Sequence, residues 1–380
     1  MKLTETSRSS RKILFVANIS KHILRFHIPY LKWFQENGYE THVAANGEEE
    51  IPFCNVKHNV PIVRSPFSLK NIKAHKILKK IIEENNFVLV HGHTPMGGVL
   101  ARTASATSRR KGTKVLYTAH GFHFFKGAPL KNWLLYYPME KYLASFSDVI
   151  ITINEEDYNL LFEKNFNTPS KFTIKGIGVD AGRFSPVSPF RKSELRKQLG
   201  YNDSQFILIY VGEFIYRKNH RFIIDSVSKL AQHIPNLKIL FAGRGILLEE
   251  MKQYAIRKNV NEIIDFLGFR TDIQDIMSIS DIGISASRHE GLGLNLAEEM
   301  FLGLPIVATE DRGHREMVEP EVNGFLFKQN NSTEFCEYVS MLYQDKDKRE
   351  RFGKKSIELT QKFSLENAIA SMAEIYKKFL

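Results

Sequence analysis

Two glutamates separated by seven residues, Glu290 and Glu298, bracket a glycine-rich turn, Gly291-Leu292-Gly293-Leu294, that leaves an apolar strand-like run and opens into a helix-like one. A helix that begins this way turns unpaired backbone N–H groups and the positive end of its dipole toward one spot, which suits a pyrophosphate. The flanking carboxylates accept hydrogen bonds from hydroxyls. Donors in the middle with carboxylates outside match a nucleotide-sugar, whose pyrophosphate lies between a sugar and a ribose. Glycine-rich turns also occur in α/β proteins that bind no nucleotide, so other residues must decide.

Gly212-Glu213-Phe214-Ile215-Tyr216-Arg217-Lys218-Asn219 leaves another strand. There Arg217 or Lys218 can offset pyrophosphate charge as the leaving group departs, or stay a solvated loop charge. Phe241-Ala242-Gly243-Arg244-Gly245 ends the next strand, with Arg244 either a second phosphate cation or a surface charge. In the first half, His120-Gly121-Phe122-His123 ends a strand, and His120 either meets a transferring sugar or is a core or capping histidine. His91-Gly92-His93 has the form of a metal pair. No third ligand lies near it in the chain, so no metal is expected and a loop lining an acceptor is the preferred reading. Asp345-Lys346-Asp347 has the spacing of an acidic metal triplet, but it sits in a lysine-interleaved helical stretch and is read as coincidence.

The elements that must hold these residues are legible from short continuous apolar runs, the mark of strands buried on both faces of a parallel sheet. The first half has them at 12–17, 41–45, 87–91, 114–118 and 149–153, with a short strand in the proline-containing stretch after 52. One helical pattern runs through Leu24, Leu31 and Phe34, and others cover 69–85, 97–110 and 131–145. The second half repeats the alternation with strands at 206–211, 237–242, 263–267, 281–285, 305–308 and 324–327. Between them Asp180–Pro189 carries two prolines and a glycine and marks a boundary, giving domains 1–185 and 186–364. The expected fold class is α/β: two Rossmann-like doubly wound parallel sheets, with ligands in a shared cleft at the carboxyl ends of their strands.

Composition narrows the function classes. No apolar run approaches the ~20 residues of a membrane span, and Met1–Arg11 is polar, without the apolar core of a signal peptide. Cys54 and Cys336 stand far apart with no second ligand beside them, so a cytoplasmic protein is expected. Residues 1–190 carry 26 Lys and Arg against 15 Asp and Glu, whereas residues 191–380 carry 27 of each. The excess points the first half toward an anionic partner. Lys73, Lys76, Lys79 and Lys80 stud a basic amphipathic helix, and Phe122–Tyr137 is aromatic with interspersed lysines. Such segments suit an anionic membrane surface, or else form a solvated face over a buried aromatic core. No nucleic-acid module is recognisable, and no nucleic-acid partner is expected.

With these motifs in order, the chain resembles the family 4 retaining glycosyltransferases of the GT-B fold over essentially its whole length. Glu290 and Glu298 match the family's glutamate pair, Lys218 its phosphate-binding lysine and His120 its first-domain histidine. Gly303, Pro305, Gly313, Glu316, Asn323 and Gly324 also fall where members carry them. The resemblance implies that Glu290 holds hydroxyls of the donor sugar and Glu298 the ribose. Lys218 with backbone amides near Gly293 and Leu294 would take the pyrophosphate, and His120 would meet the transferring sugar. It implies no cofactor and no metal, front-face transfer in which the leaving phosphate deprotonates the acceptor, and a last helix, 365–380, crossing back onto the first domain.

Two departures stand out. Many members have Arg after the glycine of the phosphate loop, where this chain has Gly212-Glu213. Either Arg217 or Arg244 supplies the missing cation, or Lys218 and the helix terminus act alone. The first loop, Asn18-Ile19-Ser20-Lys21-His22, replaces paired glycines and leaves its acceptor contacts open. Ser20–Pro29 and the His120–His123 motif are similar to members that build bacterial surface polysaccharide on a polyprenyl-diphosphate carrier. The expectation is a UDP-sugar donor and a polyprenyl-diphosphate-linked saccharide acceptor, with Asn18, His22, His93 and His123 on the acceptor side, at the inner face of the cell membrane. A UDP-sugar epimerase of the same architecture and a non-catalytic sugar-nucleotide-binding protein are the alternatives.

Overall fold

The computed structural model describes residues 11–380. The polar stretch at residues 1–10, in which no signal-peptide core is expected, lies outside the described residues. The chain divides into two compact units: residues up to Ile177 together with Ala368–Leu380, and Gly178–Asn367. The division falls before the proline-containing segment because Val179 is already tied to the second unit. Its N–H donates to Phe363 O at 2.9 Å and its carbonyl accepts from Leu365 N at 2.8 Å.

The first unit holds a seven-stranded parallel sheet of β1 (Arg11–Ile19), β2 (Tyr39–Asn46), β3 (Val56–Asn59), β4 (Leu89–Gly92), β5 (Lys114–Ala119), β6 (Val149–Thr152) and β7 (Ser170–Thr173), in the order β3-β2-β1-β4-β5-β6-β7. Ile13, Leu14, Phe15, Val16 and Ala17 of β1 are wholly buried, as a central strand with helices on both faces requires. Each of the four larger side chains contributes about 1.5–3 kcal/mol on burial. The helix Leu365–Phe379 brings Tyr376 into this unit, where its ring packs on Phe34 at 4.6 Å and its hydroxyl bonds to His91 Nδ1 at 2.9 Å.

The second unit holds a six-stranded parallel sheet of β8 (Phe206–Val211), β9 (Leu237–Ala242), β10 (Ile264–Gly268), β11 (Ile282–Ser285), β12 (Ile306–Thr309) and β13 (Gly324–Phe327), ordered β10-β9-β8-β11-β12-β13. The helix His220–His233 lays Ile223, Val227 and Leu230 against it, the i, i+4, i+7 stripe of a helix buried on one side. In both sheets the chain begins at the centre, winds out one way and returns to wind out the other. The order reverses between β1 and β4 and between β8 and β11, and crevices at the carboxyl ends of such strands are where open sheets hold ligands.

Several elements differ from expectation for local reasons. The pattern through Leu24 and Phe34 is two helices, Ser20–Phe26 and Ile28–Glu36, because Pro29 can only start a new helix and His27 leaves helical geometry at φ −123°. Helix Pro189–Gln198 was not expected. Ser188 caps it by accepting from Arg191 N at 3.2 Å, and Lys192 and Arg196 each reach Asp281 at 2.8 Å. Helix Glu155–Glu163 and the edge strand β7 were likewise unanticipated.

Candidate active site

The β8 and β11 loops of the second unit form a densely bonded cluster. Past β8 the chain makes a single tight turn, Tyr216–Lys218, ended by Asn219 in the left-handed region at φ 53°. Tyr210 on β8 donates its hydroxyl to Lys218 O at 2.6 Å. Arg288 N donates to Arg217 O at 2.8 Å and Arg217 Nη1 to His289 O at 3.0 Å, so the two loops are sewn together.

Glu290 stands at the centre. Lys218 Nζ lies 2.6 Å from its Oε1 and Arg217 Nη1 2.5 Å from its Oε2. Glu290 is 7% and Lys218 8% exposed, so the pair is shielded from solvent on nearly every side. Burial pushes the Glu290 carboxyl up, but Lys218, Arg217 and His314 outweigh it and hold it well below the usual range. Its backbone is pinned as well. Glu290 N donates to both oxygens of Asp311, at 3.1 and 3.0 Å, and Arg312 Nε donates to Glu290 O at 3.2 Å. Gly313 passes so close that a Cβ there would come within 2.9 Å of Glu290 Cβ.

Gly291 and the buried Leu292 lead to Gly293, which begins helix Leu294–Phe301 at φ 89°, a left-handed conformation open to glycine. The buried His314 ring lies against it, 3.4 Å from where a Cβ would be, and is held by a hydrogen bond between its Nδ1 and Thr309 O at 2.8 Å. Of the first-turn amides Leu296 N already donates to Gly293 O at 2.9 Å, and the Leu294 and Asn295 amides have no acceptor in the preceding turn of the helix. Glu298, half-buried, is just over one turn further on. Gly212 lies along the Lys218 stem, its hypothetical Cβ 3.4 Å from Lys218 Cδ. Of the two candidate arginines only Arg217 reaches the cluster. Arg244 is exposed and stacks over Phe269 at 5.2 Å, while its carbonyl accepts from Phe214 N at 2.9 Å. Glu213 is exposed.

In the first unit, the carboxyl ends of β1, β4 and β5 converge on histidines. His22 and His27 share a hydrogen bond between their Nε2 atoms at 3.2 Å. His27 and His93 have ring centroids 3.9 Å apart, and His120 lies 5.3 Å from His22 and 5.8 Å from His93. Burial, with Arg25 beside it, lowers His22 to about 4. Burial, then His22 and His91, lowers His120 to about 3, so these rings are neutral at pH 7. His91 is set apart, bonded to Tyr376 Oη at 2.9 Å and Thr118 Oγ1 at 2.8 Å. Asn18 is buried, and its side-chain oxygen accepts from Thr94 Oγ1 at 2.7 Å and Gly97 N at 2.8 Å, fixing the turn that carries His93. His123 is exposed and packs on Tyr136 at 4.7 Å, on the wall of a cavity that His120 also lines. A cavity of about 420 Å³ next to His120 is lined by Met96, Val99, Phe122 and Met139, with Glu140 and Arg64 as its charged members.

Residues 191–359 match the family described as Glycosyl transferases group 1, and residues 12–154 match Glycosyl transferase 4-like. The chain is 42% identical over 373 residues to EpsD of Bacillus subtilis (strain 168), a protein carrying the name of a glycosyltransferase, with 98% of this chain and 97% of that one covered. The chain belongs to the group 1, GT4-like glycosyltransferases. An Escherichia coli UDP-Gal:alpha-D-GlcNAc-diphosphoundecaprenol alpha-1,3-galactosyltransferase is 27% identical over 283 residues, 73% of this chain and 72% of that one. The crystal structure of Anabaena HepE in complex with UDP and glucose superimposes with a TM-score of 0.78 at 21% identity, covering 97% of this chain and all (100%) of that one, which shows a shared GT-B fold.

The Glu290 cluster of this glycosyltransferase includes three residues that no sequence motif singles out. Asp311 and Arg312 fix the Glu290 backbone, and His314 supports Gly293. The signal was partly there, since Asp311 two residues before Gly313 is a turn-and-cap pattern, and its carboxylate accepts from Gly313 N at 2.9 Å. One surface expectation is corrected. The aromatic run Phe122–Tyr137 is a core, with Phe122 and Phe124 buried and stacked at 4.8 Å and Trp133, Tyr136 and Tyr137 packed on them. The outward face of helix Leu130–Ala144 is instead aliphatic: Leu130 is 72% and Leu134 70% exposed. Phe67 and Leu69 are also exposed, as are Lys73, Lys76, Lys79 and Lys80. Among the described residues no helix is long and apolar enough to cross a membrane.

Proposed function

We propose that this glycosyltransferase moves a sugar, a hexose or N-acetylhexosamine, from a UDP-sugar to a polyprenyl-diphosphate-linked saccharide, with retention at the anomeric carbon. The observation that carries the reading is the buried Glu290 ion-paired to both Lys218 and Arg217 beside the start of helix Leu294–Phe301. Two cations and a helix N-terminus offer the charge that a departing diphosphate needs, so no metal is required there. Glu290 then accepts from donor-sugar hydroxyls and Glu298 from the ribose. Arg217 takes the place of the arginine that Glu213 displaces. His120 meets the transferring sugar, and the departing phosphate oxygen takes the acceptor proton.

The UDP assignment is supported by the HepE complex, and the polyprenyl acceptor by the printed name of the Escherichia coli relative. The basic, partly aliphatic surface of the first unit supports contact with an anionic membrane at its cytoplasmic face, where such an acceptor would reside. Sedimentation with anionic vesicles checks that part; binding unchanged after neutralising Lys73, Lys76, Lys79 and Lys80 counts against it. For the transfer itself, Glu290→Ala and Lys218→Ala should each lose most activity toward lipid-linked acceptors while staying folded. Full activity in either would sink the site assignment, and epimerisation of UDP-sugar without acceptor would replace the reading.

A further inference from the structure

We infer that His22, His27 and His120 form a binding site for a divalent transition-metal ion of the zinc class in the first unit. Each offers a ring nitrogen, and the three nitrogens lie within 4.8 Å of one another. The His22–His27 pair already has the spacing of two ligands: its Nε2 atoms are 3.2 Å apart. Two imidazole nitrogens held ~2.05 Å from one tetrahedral ion are about 3.3 Å apart. Closing the triad therefore asks only for a modest swing of the His120 ring.

A second observation points the same way. His120 Nε2 and both ring nitrogens of His93 are buried without a hydrogen-bond partner among the described residues. His93 is 2% exposed, so water does not compensate it. Unpaired buried ring nitrogens are costly, and four crowded imidazoles gain little from one another by hydrogen bonding. Neutral imidazoles with available lone pairs are the ligands that zinc, cobalt and nickel ions prefer. His93, stacked on His27, stands where it can join as a fourth ligand. The positive charge of Arg25 acts against the ion, but that side chain is exposed and solvent screens it.

No metal is expected from the sequence, because the ligands are not adjacent in the chain. The adjacent pair His91 and His93 looked like the metal motif, yet His91 is consumed by Tyr376 and Thr118. The usable ligands come instead from the helix that follows β1, which carries His22 and ends at His27, and from the end of β5, which carries His120. Occupation takes a ring nitrogen of His120, so the loaded enzyme should transfer more slowly. That consequence rests on the proposed role of His120, whereas the binding itself does not.

The test is titration of chelator-stripped full-length protein with Co²⁺, followed by its visible ligand-field absorption and by competition with Zn²⁺. The expected result is one ion per chain with the intense spectrum of a low-coordinate histidine site, lost in His22→Ala and in His120→Ala and kept in the control His75→Ala. His22 is only partly buried, and circular dichroism of its variant verifies folding; His22→Gln is the second variant. No spectrum at stoichiometric Co²⁺, or a spectrum that survives both His22→Ala and His120→Ala, overturns the site. A spectrum with full transfer activity keeps the site and removes His120 from the catalytic reading.

Discussion

Glu290 Oε1 and Lys218 Nζ meet at 2.6 Å, with Arg217 on the other carboxylate oxygen at 2.5 Å, so one buried carboxylate is shared by two cations from the neighbouring loop. The carboxylate orders both cations but also adds a negative charge where the proposed diphosphate would need positive charge. Glu290→Gln should therefore separate binding from turnover. UDP should bind more tightly, by roughly tenfold or about 1.4 kcal/mol, as measured by calorimetry, while transfer falls by about 100-fold or more because a neutral amide replaces the charged acceptor proposed to position the sugar. Weaker UDP binding in this variant would mean that the pair acts as a structural unit.

The start of helix Leu294–Phe301 gives a second expectation. Gly293→Ala places a Cβ 3.4 Å from His314 Cδ2 in a backbone with φ 89°. The strain is worth about 1–2 kcal/mol. Relaxing it turns the first-turn amides, so the apparent affinity for UDP should drop together with the melting temperature of the second unit. Unchanged UDP affinity would exclude those amides from the phosphate site.

Glu299, next to the ribose candidate, is wholly buried with Gly283 of β11 tight against its carboxylate. Burial, then the charge of Glu298, raises its carboxyl well above the usual value. A carboxyl raised by folding contributes fully at low pH, and its contribution declines as the pH climbs past the unfolded value toward the folded one. Glu299→Gln removes that dependence. Thermal melts should show the variant about 2–4 °C more stable at pH 8 and level with the parent near pH 4. Equal gaps at both pH values would contradict a protonated Glu299.

Arg102 in the first unit is 0% exposed, paired to Glu140 at 2.8 Å and stacked over Tyr117 at 4.0 Å. Glu140→Ala leaves a buried cation unmatched and should cost about 3–5 kcal/mol. Both tryptophans, Trp33 and Trp133, lie in this unit, so urea unfolding followed by their fluorescence reads it directly. A change below 1 kcal/mol would show that water or a rearrangement reaches Arg102.

The chain's own residues determined the two sheets almost strand by strand, because central parallel strands are apolar without interruption and need no partner to be recognised. β8, β9 and β13 begin and end where the apolar runs do. Local sequence also marked the Glu290 turn, whose glycines and flanking carboxylates are contiguous. Two helices were legible but unread: Ser188-Pro189 is a cap followed by a helix-starting proline, and Asn154-Glu155-Glu156-Asp157 is a cap with an acidic first turn. β7 was not legible, since a four-residue, half-buried edge strand has no apolar run.

Only the tertiary structure decided which charges act together. Arg217 and Arg244 are equivalent in sequence, yet one turns inward to Glu290 and the other lies over Phe269, because the tight turn at Tyr216–Lys218 aims its basic residues toward the β11 loop. The same holds in the first unit. His22, His27, His93 and His120 are scattered over 99 positions of chain and meet because β1, β4 and β5 are neighbours in the sheet. Pairing between strands distant in sequence is a long-range consequence of burial, and no local spacing encodes it.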